Sequence, residues 1–173
     1  HLVNEILDNS IDEVVAGYAK KIDFKYSLDN SITIKDDGRG IPVDFHPKFK
    51  NKRAFEIVLT TLHSGGKFTN NAYKTSGGLH GVGISVVNAL SEKLEIKIYN
   101  KSKLYSQTYS KGKAKTKVKI EKCNKNLKGT EIKFIPDKEI FESILFSPKK
   151  LYSFIKMKAV LVKDTKINFN ISK

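Results

Sequence analysis

Leu2, Val3, Ile6, Leu7, Ile11 and Val14 recur at the three- and four-residue spacing of an amphipathic helix, and Gly17 supplies its stop. The period then falls from 3.6 to 2. "IDFKYSL" (22–28) and "SITIKDD" (31–37) alternate apolar and polar residues around an Asp-Asn-Ser turn, which predicts two strands in a hairpin. "DDGRGIP" (36–42) breaks the second strand into a loop. "RAFEIVLTTLH" (53–63) reads as a short helix, and a Gly/Asn-rich segment over 65–83 runs into a second helix, "ISVVNALS" (84–91). Four strand candidates follow at 93–100, 103–110, 115–121 and 130–135. A Ser-Pro start predicts a last helix over 147–162, and "TKINFNI" (165–171) closes as a strand. Helices and hairpin-linked strands in this order predict an α+β fold, a mostly antiparallel sheet with helices on one face.

A chain of 173 residues, 39% hydrophobic, is sized for one domain with one core. No apolar run approaches the roughly 20 residues of a bilayer helix, and no secretory leader is visible. The single cysteine, Cys123, excludes an internal disulfide and suits a reducing cytoplasm. Net charge is +14 and uneven: residues 1–91 carry 11 Lys and Arg against 10 Asp and Glu, whereas 92–173 carry 21 against 8. A basic half can be an electrostatic footprint for nucleic acid. The plainer reading, preferred here, is a lysine-loaded surface, because 30 of the 32 cations are lysine amid many Asn and Ile, the bias of an AT-rich genome.

Against that lysine-rich background, residues 1–19 contain no lysine and four acids, where proportion alone would place about three lysines. On a helix, His1, Glu5, Asn9 and Asp12 project within an arc of about 80°. Such a stripe is usually a wet face, but a carboxylate, a carboxamide and an imidazole together can hold a hard cation and activate water. Asp36 ends a strand ahead of Gly38 and Gly40; it is either a turn residue or a carboxylate held at a pocket wall. Six of the eleven glycines fall in 65–83, interleaved with Lys67 and Lys74, and residues 75–91 contain no Lys, Arg, Asp or Glu. Glycines there allow backbone N–H groups to converge on an anion ahead of a helix start.

In this order, "EILDNSIDE" (5–13), "DDGRGIP" (36–42), "GGLHGVG" (77–83) and "KGTEIKF" (128–134) resemble the four motifs of the GHKL ATPases. This family includes gyrase-type topoisomerases, Hsp90, MutL and sensor histidine kinases. "LHSGGKF" and "SGGLHGVGISVVNALS" are similar to the ATPase domains of the B subunits of bacterial type IIA topoisomerases, and "FSPKKLYSFIKMKAVL" is more like the topoisomerase IV branch than the gyrase branch. The resemblance implies a single GHKL ATP-binding domain over 1–173, a two-layer α/β sandwich with ATP on the helical side. It implies that an arm exchanged between protomers lies before His1 and a transducer domain after Lys173.

The roles implied by the resemblance fall residue by residue. Glu5 is the general base for the water attacking the γ-phosphate, and His1 orients it. Asn9 is the magnesium ligand. Asp36 accepts from the adenine amino group, with Thr130 supporting the same pocket through a water. Arg39 pairs with Glu13 at the rim and, with Pro42, forms a platform under the base beside Gly40. Gly77, Gly78, Leu79, His80, Gly81, Val82 and Gly83 cradle the phosphates, and Lys67 and Lys74 sit in the lid. ATP and Mg2+ are the implied ligands. The implied partners are a topoisomerase A subunit, DNA and a second B subunit, in the bacterial cytoplasm at the nucleoid and with no membrane. A basic nucleic-acid-binding module would explain the charge but not the lysine-free acidic helix. A histidine kinase module would not be expected to carry "SVVNALS" after the glycines.

Overall fold

The structure, a computed structural model, describes residues 1–61 and 83–172. Helices α1 (Leu2–Val15), α2 (Ala54–Thr60), α3 (Gly83–Ala89) and α4 (Pro148–Ala159) are distributed among strands β1 (Lys21–Tyr26), β2 (Ile32–Asp36), β3 (Ser91–Asn100), β4 (Lys103–Ser110), β5 (Lys113–Ala114), β6 (Lys119–Lys122), β7 (Gly129–Pro136) and β8 (Lys166–Ile171). They form one sheet in the order β5-β4-β3-β7-β2-β1-β8, with β6 also paired to β4. Every pairing is antiparallel except β1 with β8 at one edge. The expected α+β sandwich is therefore present.

Alternation sorts the two faces of the sheet. Ile22, Phe24, Ile32, Ile34, Leu94, Ile96, Ile98, Ile132 and Phe134 are fully buried beneath the helices, each worth roughly 1.5–3 kcal/mol of burial. Their neighbours in sequence point to the other face, where Lys35, Lys97 and Glu131 form a mixed-charge ladder. The helices share one layer: Leu2, Ile6, Leu7, Ile84, Leu151 and Ile155 join the same core, and Lys158 of α4 donates to Asp8 of α1 at 2.7 Å.

Two-residue turns set the strand register. Lys101 and Ser102 both have positive φ (49° and 65°), so Asn100 lies directly opposite Lys103 in the twisted hairpin these turns favour. The strand expected over 115–121 begins only at Lys119, and a separate two-residue strand, β5, lies before it. β5 and β6 both pair with β4, but between them Thr116 leaves the ladder. Its carbonyl accepts from Gln107 Nε2 at 3.0 Å and its Oγ1 accepts from Thr108 N at 3.0 Å. Side-chain bonds replace the backbone ladder there, which alternation alone does not reveal.

Candidate functional site

α1 packs its apolar arc into the core, and this brings Ser10 to the end of β2, Glu13 to the loop that follows it and Glu5 to the start of α3. Asp36, the last residue of β2, is 2% exposed. Its Oδ2 accepts from Ser10 Oγ at 2.9 Å, and its Oδ1 accepts from Gly38 N at 2.9 Å and Thr130 N at 3.4 Å. Burial pushes its pKa up to about 6, against the pull of the Gly38 and Ser10 hydrogen bonds and with a smaller push from the Glu13 charge. An ionised carboxylate offers about four acceptor positions. Among the described residues three are taken, and the one left is on Oδ2. On the neighbouring strand, buried Thr130, whose backbone N donates to the other carboxylate oxygen, accepts from Ile41 N through Oγ1 at 3.1 Å, which leaves its hydroxyl hydrogen to donate. An open acceptor and an open donor at the ends of neighbouring strands suit a ligand edge that presents a donor next to an acceptor.

Arg39 clamps the following loop onto α1. Its backbone N, Nε and Nη2 groups all donate to the Glu13 carboxylate, at 2.9, 3.2 and 2.7 Å, and its guanidinium lies 3.7 Å from the centre of the Tyr18 ring. The rim pair expected between Arg39 and Glu13 is thus formed. Pro42 is half-buried and Gly40 buried in the same loop.

Two glycines are closely approached, one by backbone and one by a side chain. Gly129 has φ +109°, and a Cβ there would lie 2.0 Å from the Asp36 carbonyl oxygen. Gly129→Ala is expected to cost at least about 2 kcal/mol, since neither the dihedral nor the space suits a side chain; a denaturation midpoint equal to the parent's would refute this. At the start of α3, a Cβ on Gly83 would sit 2.3 Å from Glu5 Oε2. The Glu5 carboxylate therefore rests directly against the backbone that follows the glycine-rich segment.

Asn9 is half-buried one turn beyond Glu5, on the same arc. His1 is exposed at the N-cap of α1 and its side chain makes no cap hydrogen bond; its imidazole is not hydrogen-bonded to Glu5. Lys67, Lys74, Gly77, Gly78, Leu79, His80, Gly81 and Val82 lie outside the described residues. Ser10 escaped the sequence reading although it holds Asp36. Its signal was a lone hydroxyl inside the apolar arc of α1, between Val3 and Ile6 in projection.

Residues 1–140 match the family model described as histidine kinase-, DNA gyrase B-, and HSP90-like ATPase. The chain belongs to this ATPase family. Within it, the chain is 59% identical over 170 residues to a Rickettsia bellii protein named as the B subunit of DNA topoisomerase 4, covering 98% of this chain and 26% of the relative. A protein of the same name from Caulobacter vibrioides is 48% identical over 171 residues, covering 98% and 24%. The chain thus spans about a quarter of the length of these curated relatives. Among solved structures, the topoisomerase IV ATP-binding domain of Francisella tularensis, in complex with a small-molecule inhibitor, superposes with a TM-score of 0.84 at 40% identity, covering 99% of this chain and 81% of that one. The 43K ATPase domain of Thermus thermophilus gyrase B, in complex with an aminocoumarin, superposes with a TM-score of 0.86 at 37% identity, covering 99% and 42%.

Proposed function

We propose that this chain is the ATP-binding and ATP-hydrolysing domain of a bacterial topoisomerase IV B subunit, which couples nucleotide turnover to DNA strand passage with an A subunit and a second B subunit. The observation that carries the nucleotide reading is the open acceptor of buried Asp36 together with the open donor of buried Thr130 on the neighbouring strand. Adenine presents an amino donor beside a ring acceptor, the complement of that pair, whereas guanine presents the reverse. The topoisomerase IV branch is supported over gyrase by the higher identity to proteins of that name. The work is assigned to the bacterial cytoplasm; among the described residues no helix is long and apolar enough to cross a membrane.

Phosphoryl transfer to water asks the protein for position and charge more than for covalent chemistry. Asp36 and Thr130 anchor the base, and the Arg39–Glu13 clamp fixes the loop that walls the pocket. Glu5 accepts the proton of the attacking water, and the half-buried Asn9 offers an uncharged oxygen one turn away. Among the described residues no cluster of three or more His, Cys, Asp or Glu is preformed for a metal; a single amide ligand fits a magnesium ion whose other ligands are phosphate oxygens. When bound, magnesium offsets the negative charge of the triphosphate.

Titration calorimetry tests the reading. The chain is expected to bind ATP in the presence of magnesium and to prefer it to GTP by at least about 100-fold, because an inverted base edge leaves buried polar groups unpaired. Equal affinity for the two nucleotides, or none for either, would overturn it.

A further inference from the structure

Tertiary packing brings two lysine-rich segments that are far apart in sequence onto one edge of the sheet. Residues 111–128 form the β5–β6 edge and contain eight lysines, all exposed, and one acid, Glu121. Residues 44–53, the loop before α2, contain Lys48, Lys50, Lys52 and Arg53 against Asp44. These 28 residues hold 12 of the 32 cations and a net charge of +10 out of +14. An even spread would give them about five cations, so codon bias does not account for the concentration.

The two segments meet through a short relay. Lys52 Nζ lies 3.9 Å from Glu56 Oε1; the same oxygen accepts from Gln107 Nε2 at 3.4 Å; and Gln107 Nε2 also donates to Thr116 O at 3.0 Å. Thr116 lies between Lys115 and Lys117, so the cationic loop is packed beside the middle of the cationic edge. Arg53 does not extend from the surface: its guanidinium sits over the Phe45 and Tyr105 rings at 4.4 and 5.2 Å and donates to Val43 O. It anchors the loop.

Most of the ammonium groups on this edge have no acid to neutralise them. Lys111 pairs with Asp137 and Glu139, and Lys119 with Glu121. Among the described residues Lys113, Lys115, Lys117, Lys122 and Lys125 form no ion pair. The mixed-charge ladder of Lys35, Lys97 and Glu131 on the open face shows the contrasting pattern, in which cations are matched. Lysines on an edge strand also discourage edge-to-edge pairing. That purpose does not reach Lys48 and Lys50, which are not on a strand.

We propose that the β5–β6 edge and the 44–53 loop together form a docking surface for the phosphate backbone of duplex DNA. The choice of duplex DNA among polyanions rests on the topoisomerase reading above; the surface itself rests on the clustered, unpaired charge. Unpaired lysines displace counterions from DNA without reading sequence, so binding should be sequence-independent and steeply salt-dependent. Four such contacts predict a fall in affinity of roughly 100-fold between about 50 and 200 mM salt.

The test is fluorescence-anisotropy binding of this chain, without nucleotide, to a labelled duplex over that salt range. Three forms are compared: the parent; a variant with Lys113, Lys115, Lys117 and Lys122 changed to Gln; and a control with Lys25, Lys149, Lys150 and Lys163, exposed lysines toward the β8 edge, changed to Gln. All these side chains are exposed, so thermal melts should match the parent's. The edge variant is expected to lose at least about 30-fold in affinity at 50 mM salt and most of the salt slope, with the control close to the parent. Lys48→Gln with Lys50→Gln is expected to give a smaller loss in the same direction. Equal losses in the edge and control variants, or a parent that does not bind the duplex, would overturn the surface. Because ATP affinity is measured separately, failure here is distinguishable from failure of the nucleotide reading.

Discussion

Glu5→Gln is expected to bind ATP like the parent and to hydrolyse it about 10²–10⁴-fold more slowly, the range typical for loss of a general base. Binding should survive because the groups proposed to read the base, Asp36 and Thr130, sit at the ends of β2 and β7 and do not depend on the Glu5 carboxylate. Glutamine keeps the shape that rests against Gly83 but cannot take a proton, so the variant separates chemistry from packing. Glu5→Ala should lose the same activity. Turnover is best measured both on this chain and within a full-length protein carrying it, with affinity read by calorimetry. A Gln variant that hydrolyses at the parent rate would show that another group takes the proton.

Asp36→Asn is expected to move stability and binding in opposite directions. The Asp36 pKa rises from 3.8 to about 6 on folding, so between those values the native state binds more protons than the unfolded state. Stability contributed by the protonated form is therefore present below about pH 4 and lost as pH rises through 6, a loss on the order of 3 kcal/mol. Asparagine carries no charge to desolvate. Its oxygen can accept from Gly38 N and Thr130 N while its amide donates to Ser10 Oγ, so every present contact has a counterpart. The variant should be about 1–3 kcal/mol more stable than the parent at pH 7.5, equal to it or less stable near pH 4, and flatter between. ATP affinity should fall about ten- to a hundredfold, because the position facing the adenine amino group becomes a donor. Melts from pH 4 to 7.5, paired with calorimetry, test both halves. A variant that loses stability at pH 7.5 would show that Asp36 is structural, and one that keeps ATP affinity would remove its recognition role.

The native-state cost at Asp36 thus coincides with its proposed role in recognition. A carboxylate buried at the end of β2 destabilises the free domain as pH rises through 6, and a donor on a bound ligand would offset that cost.

Periodicity in the sequence determined most of the elements, since a 3.6-residue or two-residue apolar repeat follows from which face must be buried. It placed α1, the β1–β2 hairpin, β3, β4, β7 and β8 close to where they lie, and the lysine-free window set apart the Glu5–Asn9 face as a candidate. The order of four short motifs marked the family, because each requires a particular backbone or carboxylate at a fixed place. Tertiary structure alone decided what depends on contacts between distant residues. Ser10 reads as one hydroxyl among apolar neighbours until β2 brings Asp36 to 2.9 Å. Gly129 reads as a strand entrance until the Asp36 carbonyl occupies the space of its missing side chain. The break at Thr116 depends on Gln107 and Thr108 bonding across the edge. Net charge could be counted along the chain, but its gathering on one edge depends on the packing of α2 against β4, which sets Lys52 and Thr116 on either side of one Glu56–Gln107 contact.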